Sequence, residues 1–352
     1  MRKSWLQSKR AVGMIAAAVI VFLTSLGDLQ AQSATENPAG GLREFLAAAI
    51  DVQERHHNRL RTIPDVVGTA VGLTAEGRPA IKVYTKSAPT HALPASLDGV
   101  DVEIEETGEF HSLLKLGGER TRFAARAKRF ARPVPIGVST GNEGECSAGT
   151  IGARAKDSSG NVYALSNNHV YAMENAAVPN SAILQPGLFD TNCSFSSSNV
   201  LGTLSSFVPI VFSTSASNTV DAAIAASDVS LLRRSTPSGG YGTPRSATVA
   251  AFIGQRVKKY GRTTFLTSGR VIGINAIVLV DYDSGPAQFV DQIVVRSSNA
   301  FIRAGDSGSL LVTAGKNKPV GLLFAGSTNG RMAIANRIDS VLNAFGVVID
   351  GK

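Results

Sequence analysis

The sequence has few aromatic residues, few cysteines and no internal repeat. Phe, Trp and Tyr make up 6% of the 352 residues, although the hydrophobic fraction of 43% is large enough to build cores. The absence of a repeat excludes a repeat array. No glycine-rich nucleotide-binding loop and no cluster of metal-binding residues appears, so the sequence predicts a globular protein without a cofactor.

Basic residues are not in marked excess outside two short segments. The net charge is +8, but four basic residues lie among the first ten and another cluster lies between Arg120 and Arg132. The rest of the chain is not markedly basic, so we expect no nucleic-acid partner. The alternative is that the cluster contacts a membrane or a nucleic acid.

Residues 1–31 are typical of a signal peptide. A basic start is followed by an apolar run from Ala11 to about Leu26 and by a small residue, Ala31. We expect cleavage, a secreted or periplasmic protein, and no stable membrane association afterwards. The alternative is an uncleaved anchor, because the run is only just short of a membrane span and Leu29 is not small.

The chain contains only two cysteines, Cys146 and Cys193. An even number of cysteines is compatible with one disulfide bond, and export would place the chain in an oxidising compartment where such a bond persists. The sequence therefore predicts that the two residues are bridged. Two free buried thiols are the alternative.

Residues 35–119 predict a small α+β domain. Apolar residues at helical spacing indicate a helix from Gly41 to about Leu60. Alternating apolar positions then indicate a hairpin of Val66–Thr74 and Ala80–Thr85, followed by a strand at Val100–Glu105. We expect a basic linker at 120–132, which is a suitable place for proteolytic processing.

Residues 133–352 predict an all-β domain with one C-terminal helix. Short apolar segments alternate there with Gly, Ser, Asn and Asp, a pattern typical of a sandwich or barrel. The predicted helix covers Ile338–Phe345. The predicted strands are Gly149–Ala155, Val162–Leu165, Val220–Ala225, Arg256–Tyr260, Gly269–Val280, Gln292–Arg296, Ser309–Val312, Val320–Ala325 and Arg331–Asn336.

A Gly-Asp-Ser-Gly-Ser segment begins at Gly305 and precedes a predicted strand. A nucleophilic serine needs an exposed hydroxyl on a tight turn, and flanking glycines allow backbone N–H groups to point at the site of attack. Ser307 is therefore the candidate nucleophile, and the N–H groups of Gly305 and Ser307 are the candidate oxyanion hole. The alternative is a simple glycine-serine turn.

A serine hydroxyl requires a base, and His169 is the only histidine after the predicted domain boundary. The third member of a triad is a carboxylate that orients the imidazole. Asp221 is the preferred candidate because it lies at the start of a predicted buried strand, where an unpaired charge would be costly. Asp190, Asp228 and Asp281 are weaker candidates.

These residues resemble the chymotrypsin-like (trypsin-like) serine peptidases, and more closely the bacterial branch that contains streptogrisins and alpha-lytic protease. The chain order His, Asp, Ser matches, and further matching segments begin at Gly254, Gly261, Thr267 and Gly321. Together they cover about two-thirds of the chain. The resemblance implies a double β-barrel with His and Asp from the first barrel and Ser from the second.

The resemblance also implies a function. It predicts a secreted serine endopeptidase that acts on protein or peptide substrates, made as a zymogen whose N-terminal pro-region binds the active site in cis until it is removed. A retained N-terminal domain is the alternative. Two other functions are an esterase with the same catalytic groups and a catalytically silent homologue that binds peptides or partner proteins.

The chain departs from the family pattern at several positions. Ser309 replaces a glycine, and Phe324 replaces a small serine beside the bound substrate. With Gly326, Phe324 and Phe301 are the candidate substrate-binding residues, and Phe301 argues against an acidic pocket floor. Lys259 occupies the place of an internal base that would pair with Asp306.

Overall fold

The computed structural model describes residues 38–88, 93–112 and 128–352. The predicted signal peptide and residues 120–127 of the predicted linker lie outside these ranges. Within the described ranges, no helix has the length and apolar character needed to cross a membrane. The described strands form two β-sheets, and the catalytic candidates lie where the two sheets meet.

The N-terminal unit consists of helix α1 (Pro38–Leu60) and five strands. The side chains of Val52 and Leu60 on α1 are buried against Ile81 and Val83, and this apolar face holds the helix on the strands. The strands are β1 (Val66–Leu73), β2 (Pro79–Thr85), β3 (Ser96–Leu97), β4 (Val100–Glu106) and β5 (Phe110–Ser112).

The first sheet contains eight strands in the order β19-β8-β9-β12-β11-β10-β6-β7. A short helix, α2 (Asn168–Tyr171), directly follows β9. The strands are β6 (Ser139–Asn142), β7 (Gly149–Thr150), β8 (Ala153–Lys156), β9 (Val162–Ser166), β10 (Ala182–Leu184), β11 (Val200–Phe207), β12 (Ala223–Ser227) and β19 (Val348–Ile349).

The second sheet contains eleven strands, and β1 to β5 of the N-terminal unit belong to it. Its longest strands, β14 and β15, form an extended antiparallel hairpin. The other elements of this part of the chain follow in sequence: β13 (Arg256–Gly261), β14 (Phe265–Tyr282), β15 (Gly285–Arg296), β16 (Leu310–Thr313), β17 (Pro319–Ser327), β18 (Met332–Arg337) and helix α3 (Ile338–Phe345).

The N-terminal unit is joined to the second sheet by backbone pairing. Strand β1 pairs antiparallel with β14, with Gly68 opposite Val278. A Cβ atom at Gly68 would lie 2.8 Å from the carbonyl oxygen of Ile277, so only glycine permits this approach. Strand β5 lies between β14 and β17 and pairs with both, with His111 opposite Gly326.

The predicted fold class is confirmed: a mostly β architecture of two sheets with a C-terminal helix, preceded by a small α+β unit. Helix α3 has the predicted bounds. Three strands start later than predicted: β16 and β18 by one residue each, and β12 at Ala223, which leaves Asp221 in the preceding loop. The predicted strand Gly149–Ala155 is divided into β7 and β8. Strand β11 was not predicted, because its Gly, Ser and Thr residues resemble a loop and only its pairing with β10 and β12 makes it a strand.

Polar side chains of α1 also contact the second sheet. The Nε2 atom of His57 lies 3.2 Å from Oε1 of Gln288 on β15. Burial lowers the pKa of His57, and the neighbouring Arg61 acts in the same direction, while the hydrogen bond to Gln288 acts against them. The docked unit therefore favours the neutral imidazole.

We expect the docking of the N-terminal unit to weaken in acid. Because the pKa of His57 is lowered in the docked state, its contribution to docking is complete above about pH 6.5, the ordinary histidine value, and is lost as the pH falls below it. Hydrogen exchange of β1 amides, corrected for intrinsic rates, measures this between about pH 8 and about pH 5. An identical pH dependence in His57→Gln would contradict the assignment.

Candidate active site

The pairing of β9 and β12 brings His169 and Asp221 together. These strands run antiparallel with Ala223 opposite Ser166, so α2 after β9 and the loop before β12 lie at the same end of the first sheet. The Nδ1 atom of His169 is 2.5 Å from Oδ2 of Asp221. The other carboxylate oxygen of Asp221 accepts the backbone N–H of His169 at 3.2 Å.

Ser307 lies on the second sheet's side of the junction, in the turn before β16. The two glycines of this turn, Gly305 and Gly308, have φ angles of 90° and 87°, in the region that favours glycine. A Cβ atom at Gly308 would also lie 2.2 Å from Oγ of Ser166. The turn places the Ser307 hydroxyl 2.7 Å from Nε2 of His169.

The three predicted triad residues thus form one line of hydrogen bonds, and each is 0% exposed. A carboxylate that orients an imidazole against a serine hydroxyl is the arrangement that activates a serine for nucleophilic attack. The tautomer required is the one in which Nδ1 of His169 donates to Asp221 and Nε2 accepts from Ser307.

The rival carboxylates lie elsewhere. Asp190 forms an ion pair with Arg262. Asp228 accepts the backbone N–H of a neighbouring turn residue. Asp281 lies 3.6 Å from Nδ1 of His111, at the N-terminal unit. Asp221 is the candidate that hydrogen-bonds to Nδ1 of His169.

The nucleophile turn presents two backbone N–H groups. No backbone carbonyl of the described residues accepts the N–H of Gly305 or Ser307. The carbonyl of Ala304 accepts a hydrogen bond of 2.6 Å from the Thr263 hydroxyl, and the Thr150 hydroxyl donates to the Gly305 carbonyl at 2.8 Å. Because C=O and N–H of one peptide point in opposite directions, the first bond turns the N–H of Gly305 away from Thr263.

The carboxylate of Asp306 anchors the same turn from inside the protein. It accepts the backbone N–H groups of Arg303, Thr263 and Thr264 at 2.9–3.1 Å, and the Thr264 hydroxyl at 2.6 Å. The Nζ atom of Lys259 lies 3.4 Å away, and both charged side chains are 0% exposed. Burial lowers the pKa of Lys259, while the neighbouring Asp306 carboxylate acts to raise it.

Ser309 has a structural role in this turn. Its hydroxyl donates to the Asp306 carbonyl at 2.6 Å. Gly261 makes room for it, since a Cβ atom there would lie 2.5 Å from the Ser309 hydroxyl and 2.5 Å from Oδ1 of Asp306. The departure at Ser309 is therefore matched by a glycine on β13 and leaves the catalytic candidates in place.

The aromatic side chains predicted to bind substrate are in the core. The rings of Phe324 and Phe301 are both 0% exposed, and that of Phe324 lies 4.7 Å from the ring of Phe289. The backbone of Phe324 faces the site, because its carbonyl oxygen lies 3.4 Å from Oγ of Ser307. Gly326, two residues further along β17, pairs with β5.

Several supporting residues escaped the sequence analysis. Arg262 donates to Asp190 through Nε at 2.7 Å and to the Thr263 hydroxyl at 3.0 Å. Because the Thr263 hydroxyl in turn donates to the Ala304 carbonyl, Arg262 connects the nucleophile turn to the first sheet. The segment containing Arg262 and Thr263 stood out in the sequence, but its contacts depend on strands far apart in the chain. The predicted disulfide between Cys146 and Cys193 is confirmed, with Cα atoms 5.1 Å apart.

No group of three or more His, Cys, Asp and Glu residues within 38–88, 93–112 and 128–352 is arranged to hold a metal ion.

Comparison with known proteins gives partial likenesses. The model of the Nal1 C-terminal domain matches residues 244–348, a range that includes Ser307 but neither His169 nor Asp221. No curated protein matches the chain.

Among solved structures, a glutamic acid specific serine protease is 22% identical, with a TM-score of 0.44, and covers 61% of this chain and 100% of its own. The Nocardiopsis protease NAPase is 18% identical, with a TM-score of 0.44, and the match covers 61% of this chain and 99% of that protease. Thermobifida fusca protease A is 15% identical, with a TM-score of 0.45, 62% of this chain and 100% of its own covered. With these scores, the fold described above stands on the strand pairing of this chain alone.

We expect Lys259→Met to lower the free energy of unfolding by about 3 kcal/mol, because it leaves the buried Asp306 carboxylate without its counter-charge. Thermal or denaturant unfolding of the purified chain measures this change. The double variant Lys259→Met with Asp306→Asn recovers part of the loss, since the remaining uncompensated charge is then removed. A single variant as stable as the wild type would show that the backbone donors alone satisfy Asp306.

Proposed function

We propose that the chain is an exported serine endopeptidase of the chymotrypsin-like class. The observation that carries this proposal is the hydrogen-bonded line from Asp221 through His169 to Ser307, beside two backbone N–H groups without a backbone acceptor. The disulfide fits an oxidising compartment. In this proposal residues 1–31 direct export and are cleaved, and residues 133–352 form the catalytic domain.

The chemistry proceeds in two acyl transfers. His169 Nε2 takes the proton of Ser307 as the hydroxyl oxygen attacks the peptide carbonyl, and the N–H groups of Gly305 and Ser307 bind the resulting oxyanion. The imidazolium, held by Asp221, then gives its proton to the leaving amine. Water deprotonated by His169 attacks the acyl-enzyme, and the proton returns to Ser307 as the acid product leaves.

We expect a fluorophosphonate probe to label Ser307, because the probe reacts with a serine that a neighbouring base has activated. Mass spectrometry of the labelled chain locates the adduct. Ser307→Ala is the control that removes the hydroxyl, and Ser309→Ala is a matched control in the same turn that leaves it. Strand β5 is proposed below to cover the site, and His111→Pro to release it. An absence of labelling in both the whole chain and this variant would contradict an activated serine and favour a silent, peptide-binding homologue.

We further propose that the N-terminal unit blocks the site in cis, as a pro-region does. At Ala325 to Ser327, strand β17 has β18 along one edge and β5 along the other. A peptide substrate that binds by adding a strand needs a free edge beside Ser307. The β5 strand fills this edge directly after Phe324, whose carbonyl oxygen contacts Ser307.

Apolar packing adds to the backbone pairing of β5. Phe110 on β5 is 1% exposed and belongs to the same hydrophobic cluster as Phe289 and Phe324 of the second sheet. Its ring packs edge-on against Tyr84 of β2, with centroids 5.9 Å apart. Phe110 thus anchors β5 both to β2 of the N-terminal unit and to the core of the second sheet.

We expect His111→Pro to increase the rate of fluorophosphonate labelling at Ser307 at least tenfold, because proline removes the backbone N–H in the middle of β5 and cannot continue a central strand. Labelling kinetics of the full chain measure this increase. His111→Ala is the matched control, since it keeps the N–H and leaves the rate near that of the wild type. Equal rates in all three proteins would contradict the block by β5.

A further inference from the structure

A tyrosine from the second sheet contacts the carboxylate of the triad. The hydroxyl of Tyr282 donates to Oδ2 of Asp221 at 2.8 Å, so this oxygen binds both Nδ1 of His169 and the phenol. We propose that Tyr282 is a positioning residue that holds the Asp221 carboxylate in the orientation required by His169. This inference rests on the proposed peptidase function.

The ring of Tyr282 is held in place by packing on several sides. It is 1% exposed and lies edge-on to the ring of His169, with centroids 5.9 Å apart. Phe212 packs against it at 5.7 Å and Phe289 at 6.0 Å. These neighbours hold the ring in place, so its hydroxyl oxygen stays within hydrogen-bond distance of Asp221.

The backbone that carries Tyr282 is anchored to the segment that carries His169. Tyr282 is the last residue of β14 and pairs with Gly285 across the hairpin. At the tip of this hairpin, the N–H groups of Asp283 and Ser284 donate to the Glu174 carboxylate at 3.2 and 2.7 Å. Glu174 lies three residues after α2, so hairpin and imidazole are held by the same loop.

The side chain of Phe324 supports Tyr282 through an intervening ring. This side chain has no hydrogen-bond donor, and its ring packs on Phe289, which in turn packs on Tyr282. The phenylalanine that replaces the expected serine therefore supports the tyrosine that reaches Asp221.

The phenol stays a donor over the working pH range. Burial raises the pKa of Tyr282, and the neighbouring Asp221 carboxylate raises it further. Other titratable groups around this cluster include His169, Glu145, Glu174 and Asp283. A hydrogen bond from a buried hydroxyl is stronger when its acceptor is charged, as Asp221 is. We therefore expect the loss of the Tyr282 hydrogen bond to be measurable in the catalytic rate.

Tyr282→Phe tests the inference because it keeps the ring and removes only the hydroxyl. We expect kcat for a peptide substrate to fall about tenfold, the effect of one hydrogen bond to a charged group, with KM changed less than about twofold. The acidic limb of the kcat/KM profile moves to higher pH, because a carboxylate with one donor fewer holds the imidazolium more strongly. Assays use the active form, obtained with His111→Pro.

Tyr241→Phe is the matched control, because Tyr241 is also a buried tyrosine after residue 133 and burial alone raises its pKa. In the His111→Pro background it keeps the kcat, the KM and the pH profile of the His111→Pro parent. A Tyr282→Phe enzyme with the same three properties as this parent would overturn the inference while leaving the peptidase function intact.

A second readout does not depend on turnover. The proton between Nδ1 of His169 and Asp221 gives a far-downfield NMR resonance in a hydrogen bond to a carboxylate, and we expect Tyr282→Phe to shift it while Tyr241→Phe does not. An unshifted resonance in Tyr282→Phe would overturn the inference even in a chain without peptidase activity. A chain that Ser307-directed probes label neither as the wild type nor as His111→Pro would instead contradict the proposed function.

Discussion

Carboxylates that are removed from water must be given donors, and this constraint shapes the site. An unpaired buried charge costs several kcal/mol, so each such group organises the backbone and side chains around it. Asp221 orients His169. Asp306 draws together the nucleophile turn and β13 through Lys259. Asp190 holds Arg262 beside the turn that contains Ser307. The contacts that satisfy these three carboxylates are therefore also the contacts that bring the residues of the site together.

The hairpin of β14 and β15 connects the parts of the molecule. Its strands pair with β13 and β18 of the second sheet, and β14 also pairs with β1 and β5 of the N-terminal unit. Its tip reaches the first sheet, where Tyr282 contacts Asp221 and Glu174 binds the turn. One hairpin therefore connects the second sheet, the N-terminal unit and the segment that carries Asp221.

The relation between the N-terminal unit and the rest of the chain has a physical cause. An edge strand presents unpaired N–H and C=O groups that must be covered or paired. The unit pairs with β14, and its last described strand, β5, pairs with β17 beside Ser307. The edge that would accept a peptide is therefore satisfied from within the chain. In the proposed function, the same pairing would keep the peptidase inactive.

How much the sequence could predict depended on the range of the signal. Local periodicity identified α1, the first hairpin and α3, because helix and strand patterns repeat within a few residues. It failed for β11, whose polar residues become a strand only through pairing with its neighbours. The loop position of Asp221 was missed for the same reason, since the start of β12 depends on its register with β9.

The sequence by itself determined which groups were available for catalysis and for a disulfide: one histidine after residue 132, a glycine-flanked serine at Ser307 and an even number of cysteines. Only the tertiary structure decided that His169 and Ser307 meet, that Thr263 turns the oxyanion peptide, and that β5 covers the edge at Gly326. These contacts join residues that are far apart in the chain, and they depend on strand register and sheet twist, which no local pattern encodes.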